Sequence, residues 1–170
     1  MELIATAVGS SGSVNIEFTN IPQTYQFLKV VGIGRTAAGS GGANPWIGAV
    51  VYFNGETNIN NVIWRRMIAY NTNNWILDTS TGPDVQANGT NTTSGYFGVG
   101  TWWCTNYSAT DKWKSFGSYV SGTNGSAGSS YLNGTVSGQY RLNTAISSIR
   151  FDFSYGLDSG SVYKLYGMNG

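Results

Sequence analysis

The chain has 170 residues, a net charge of +1, 10% charged and 14% aromatic residues, one cysteine and no histidine. Without histidine there is no Ser-His-Asp or Cys-His nucleophilic site and no His-ligated zinc, and a lone Cys104 allows neither an internal disulfide nor a cysteine metal cluster. Lys and Arg are scattered, with only the pairs Arg65/Arg66 and Lys112/Lys114, which excludes the basic stripe of a nucleic-acid binder.

The elements follow in chain order. Met1–Gly12 has no basic segment and no long apolar run, so neither a signal peptide nor a membrane span is expected. Val14, Ile16 and Phe18 alternate with Ser13, Asn15, Glu17 and Thr19, the period of a half-buried strand. Pro22 breaks the pattern, because proline cannot donate to a ladder. Phe27–Ile33 is apolar at nearly every position, which predicts an interior strand covered on both faces. Gly34–Pro45 reads as a loop. Further strands are expected at Ile47–Phe53, Trp75–Asp78, Tyr96–Tyr107, Trp113–Val120, Ser130–Leu142, Ser147–Phe153 and Ser161–Met168. Asn61–Tyr70 lacks clean alternation and reads as a strand or a helical turn. Asn54-Gly55, Asn124-Gly125 and Asp158-Ser159-Gly160 mark turns, and Thr79–Gly95 reads as an exposed loop or excursion. No internal repeat or linker divides the chain. The expected fold is all-β: one antiparallel, jelly-roll-like β-sandwich domain over residues 1–170. Its core is expected to hold Val14, Ile16, Phe18, Leu28, Val30, Val51, Phe53, Ile146, Ile149, Phe151, Leu165 and Tyr166.

Little in the sequence points to catalysis. Gly32–Ala37 fits G-x-G-x-x-A, but a dinucleotide site needs a helix to follow, and Ala38–Pro45 cannot form one. The eight carboxylates sit mostly at strand ends and turns, and no Ca²⁺ loop of the D-x-D-x-D-G type occurs. No enzyme activity, cofactor or metal is expected. The aromatics are more informative. Alternation through Gly100–Tyr107 puts Trp102 and Cys104 on one face and Trp103, Thr105 and Tyr107 on the other. Small Cys104 beside Trp102 marks that face as core. Trp103 and Tyr107 then point outward, and with Trp113 they are the candidate residues for an interface or a glycan contact. Trp46, Trp64 and Trp75 raise the same choice between burial and contact.

Four stretches resemble a family of small tailed-phage virion proteins. They are Val8–Arg35 with its Ile-Pro-Gln-Thr-Tyr segment, Val50–Asn60 with Phe-Asn-Gly-Glu-Thr, Phe97–Phe116, and Asn143–Met168 with Thr-Ala-Ile-Ser-Ser-Ile and a final Leu-Tyr-Gly. The match runs in order along most of the chain, with gaps at Gly39–Asn44 and Thr79–Gly95, and departs at the double Trp102-Trp103, where the family carries smaller residues. The resemblance implies an opening apolar strand. It also implies a closed homo-oligomer, a trimer, assembled in the host bacterial cytoplasm and located on the virion. It further implies a non-enzymatic decoration or cement protein on the outer shell, whose partners are itself and the major capsid protein or other virion proteins. The alternative is a tail-fibre or receptor-binding module that recognises host glycan. Because the match consumes the chain end to end, without a shaft, decoration is the leading expectation. Neither nucleic acid nor membrane insertion is implied.

Overall fold

Period-2 alternation produces thirteen strands and no α-helix among the described residues. The structure, a computed structural model, describes residues 1–10, 12–36, 46–70, 74–78, 87–88, 95–123, 131–153 and 155–169. The strands are β1 (Glu2–Val8), β2 (Asn15–Phe18), β3 (Phe27–Gly34), β4 (Trp46–Ile47), β5 (Ala49–Phe53), β6 (Val62–Tyr70) and β7 (Asn74–Asp78). They continue with β8 (Ala87–Asn88), β9 (Gly98–Thr105), β10 (Lys114–Thr123), β11 (Tyr131–Tyr140), β12 (Ile149–Phe153) and β13 (Val162–Met168). Asn61–Tyr70, ambiguous in sequence, splits: a 3₁₀ turn at Ile59–Asn61 leads into β6. Most of the expected loops 34–45 and 79–95 and the Asn124-Gly125 turn lie outside the described residues; Ala87–Asn88 pairs with Trp46–Ile47 as a small third sheet.

Two antiparallel sheets pack face to face. The larger has the order β1-β13-β3-β9-β10-β11-β6-β7, and the smaller β2-β12-β5. The chain alternates between them at its start (β1, β2, β3, β5). At its end β12 inserts between β2 and β5, and β13 inserts between β1 and β3. This interleaving brings the first and last strands of the chain together in both sheets of the sandwich. The larger sheet then runs four strands past β9, so its outer face is broad.

The core lies between the inner faces. Leu28, Val30, Trp102, Cys104, Phe116, Tyr140, Tyr163 and Leu165 from the larger sheet meet Ile16, Phe18, Val51, Phe53, Ile149, Phe151 and Phe153 from the smaller. Aromatic rings form its centre. Phe53 stands 5.0 Å from Tyr140, 5.5 Å from Phe116 and 5.8 Å from Trp102, and Phe151 meets Trp102 edge-on at 6.0 Å. Such offset and edge contacts add to area burial by about 0.5–1.5 kcal/mol each. Strand glycines make room for the rings: a Cβ on Gly138 would collide with the Phe116 ring.

Three core expectations are corrected. Val14 is 49% exposed, because it precedes the first paired residue of β2 and its side chain lies past the rim of the sandwich. Tyr166 is only half-buried: Leu165 faces the core, and alternation turns its neighbour to the outer face. Strand β3 is interior in the sheet, flanked by β13 and β9, but covered on one face only; Phe27, Lys29 and Val31 are half-buried on the other face and Ile33 is 46% exposed. The other ten expected core residues are buried.

Adjacent Trp102 and Trp103 give a direct test of this alternation. Trp102→Ala should cost about 3–5 kcal/mol in urea unfolding, as for other buried aromatic truncations, and Trp103→Ala less than half as much. Equal losses would contradict the assignment of inner and outer faces.

Candidate binding face

Register places the outer side chains of the larger sheet in lateral rows. One row runs Val8–Val162–Ile33–Val99 across β1, β13, β3 and β9. It is entirely aliphatic, and Val8, Ile33 and Val99 are 59%, 46% and 43% exposed. β-branched residues suit a pleated, half-buried surface, yet here the aliphatic row is left facing water. Strand β1 is also the edge of the sheet, paired only with β13.

A second row runs Tyr166–Lys29–Trp103–Gly117–Ser137–Arg65 across β13, β3, β9, β10, β11 and β6. Trp103 lies over Gly117, so that a Cβ there would sit 2.6 and 2.8 Å from two indole ring carbons. Any larger residue at 117 would lift the indole. One face of the ring is thus backed by the sheet, and the residue stays 40% exposed. Beside it opens a groove of about 440 Å³, whose lining includes Trp103, Ser137, Thr135, Met67 and Arg65 together with parts of the inward-facing Arg66, Ser118 and Val136. Tyr119, 48% exposed, stands on the adjacent row and donates from its hydroxyl to Asn133 Oδ1 at 3.3 Å.

The three sequence candidates are not brought together. Trp103 is on the outer face as expected. Tyr107 is not: it is fully buried, which corrects its assignment as a contact residue. Strand β9 ends at Thr105, and Asn106 turns the backbone at φ 53°, so strand alternation no longer applies at 107. The Tyr107 hydroxyl donates to the Pro22 carbonyl and accepts from the Tyr25 amide at 3.3 Å, and burial pushes its pKa up. Trp113 is 50% exposed, with the Arg141 guanidinium 5.4 Å from its ring centre. It precedes Gly117 by four residues, about 13 Å along the chain direction of β10, and so belongs to a different part of the surface. Gly117, Ser137, Lys29 and Arg65 were missed in sequence. The only local signal was glycine recurring in Phe116-Gly117 and Ser137-Gly138, where rings lie over the backbone.

Several titratable groups elsewhere make structural contacts. Arg35 pairs with Asp158 at 2.9 Å, and the glycines of Gly32–Ala37 that are described lie in or beside β3, without a helix. Arg150 pairs with Asp152 at 2.8 Å, and Glu56 accepts from the Asn58 amide at 2.7 Å. Lys114 is buried, donates to the Leu142 and Lys112 carbonyls at 2.9 and 3.1 Å, and has its pKa lowered by loss of water. Among the described residues, no three Cys, Asp or Glu side chains gather as a metal site. Neither a protein-family model, nor a curated protein, nor a solved structure matches this chain.

Burial pushes the Cys104 thiol from its ordinary 9.0 up to about 12. A raised folded pKa means stability that is whole below pH 9 and is lost as pH rises toward 12, because the unfolded thiol ionises first. Cys104→Ala should therefore flatten the decline of unfolding free energy over that range. Native protein at pH 8 should resist a thiol reagent until it is unfolded; rapid labelling of native protein would place the thiol at the surface instead.

Proposed function

We propose that the protein is a non-enzymatic structural component of a phage particle: a decoration or cement protein that binds the outer shell. The observation that carries this reading is the aliphatic stripe Val8–Val162–Ile33–Val99, which nothing within the described residues covers. Contiguous apolar surface on a folded subunit marks a contact with another macromolecule. Adhesion of this kind needs shape and apolar area, and Asp158, Asp152, Glu56 and Lys114 are engaged in ion pairs, turns and backbone contacts. The virion setting is supported by the resemblance of the four motif stretches to small tailed-phage virion proteins. The free edge of β1, beside the stripe, supports self-association as a homotrimer, since an edge strand presents unpaired backbone groups to a neighbour.

The test places one charge in the stripe. Ile33→Asp and Val99→Asp should leave the subunit folded, since both side chains already face water. Each should lower occupancy on purified shells by about tenfold or more, as for a truncated interface anchor, and sedimentation should show smaller oligomers. Full occupancy and an unchanged oligomer for both variants would refute the reading.

A further inference from the structure

The Trp103 row lies four residues along β9 from the aliphatic stripe, about 13 Å away at strand rise, and its chemistry differs. Lys29 and Arg65 stand in the same row as Trp103, and Lys164 stands one row over beside Val31. The one carboxylate whose side chain is described on the larger sheet, Glu2, lies off this outer face, at the β1 edge against Tyr25. A chain with a net charge of only +1 has thus sorted three cations and no carboxylate onto one described surface. Between Lys29 and Arg65 stand the Trp103 indole, which covers Gly117, and Ser137, with Thr135 on the adjacent row.

We propose that this groove binds an acidic polysaccharide. A sugar ring stacks on the open face of Trp103, the Ser137 and Thr135 hydroxyls meet ring hydroxyls, and carboxylates carried by the glycan meet Arg65 and Lys29. Three features favour a glycan over an acidic protein neighbour. The indole is backed on one face and open on the other, which suits a flat ring. The groove opens beside the indole and sets the hydroxyl residues Ser137 and Thr135 in a mostly apolar lining, as the C–H face and hydroxyl rim of a sugar require. Its volume of about 440 Å³ falls within the range of small-ligand sites. The charge supplies selection: a carboxylate gains a charge-assisted hydrogen bond from the Arg65 guanidinium that a neutral sugar cannot accept. This proposal is independent of the aliphatic stripe and of the shell.

The experiment titrates the whole protein with oligogalacturonate, with alginate oligomers and with methyl-esterified oligogalacturonate, read by tryptophan fluorescence and calorimetry at low salt. At least one acidic oligosaccharide should bind and the ester should bind about tenfold more weakly; added salt should weaken the acidic ligand selectively. Trp103→Ala and Arg65→Gln should each weaken binding by about tenfold, a single lost stacking or charge-assisted contact. Trp103→Phe, which keeps a ring, should retain most of the affinity, and Val99→Asp should bind normally while failing on shells. Failure of both acidic ligands to bind, equal affinity for the ester, or unchanged affinity in Trp103→Ala would overturn the proposal. Loss of shell occupancy in Trp103→Ala, together with no glycan binding, would assign the groove to a protein neighbour and overturn it too.

Discussion

Trp102 occupies the centre of the sandwich, and its burial dictates what the neighbouring strands present outside. The indole contacts Phe53 and Phe116 and meets Phe151 edge-on, so both sheets converge on it. Once Trp102 faces inward, strand geometry sends Trp103 outward. Register carries that choice across the sheet: Val30 and Ser118, the partners of Trp102, are buried, while Lys29 and Gly117, the partners of Trp103, lie on the outer face. A slip of one residue in any of these strands would exchange its two faces. The aromatic core and the outer surface are therefore two consequences of one packing decision.

The loop residues of Val8–Arg35, Val50–Asn60, Phe97–Phe116 and Asn143–Met168 serve a different end. Many of their side chains meet at one end of the sandwich. Ile21 is buried, Pro22 accepts from Tyr107, and Gln23 Nε2 donates to the Ile21 and Ile146 carbonyls at 2.7 and 3.0 Å. The Ile146 amide in turn donates to the Tyr107 carbonyl at 2.8 Å. Asn54 donates to the Ala145 carbonyl at 2.8 Å and accepts from the Ser147 and Ser148 amides at 2.8 and 3.1 Å. Tyr25 lies over Gly167. These contacts tie the β2–β3, β5–β6, β9–β10 and β11–β12 connections together. They hold loop backbone that has no ladder partner, where an unpaired buried group would be costly. These stretches thus supply residues that close the fold, and within them Trp103, Lys29 and Ile33 also reach the outer face.

The two sheets are unequal, and that inequality creates the functional question. Three strands in the smaller sheet cover the inner side of part of the larger one, while Val8, Ile33, Val99 and Trp103 on its outer side stay exposed. The outer face is divided by composition. Its Val8–Val99 row is aliphatic and suited to burial, whereas its Lys29–Arg65 row is cationic and hydroxyl-bearing around one indole. A surface of two chemistries can hold the protein in place with one and meet a ligand with the other.

Alternation and turn residues alone determined the all-β class, the faces of Trp102 and Trp103, most strand positions, and ten of the buried residues. Period 2 is a local property, written in four to eight consecutive residues. Where the local pattern ended, the reading failed. Val14 lies one residue before its ladder begins, and Tyr107 lies past the Asn106 turn, where alternation no longer reports direction. Continuous apolarity in Phe27–Ile33 was read as two covered faces, but it records one covered face and one that the subunit leaves open. The strand order and the neighbours of Trp103 were decided only in three dimensions. Gly117 is fourteen residues from Trp103, Arg65 is thirty-eight and Lys29 is seventy-four, and only strand register sets them in one row. No local preference specifies which strand pairs with which; that choice follows from burying the aromatic core between two sheets whose first and last strands interleave.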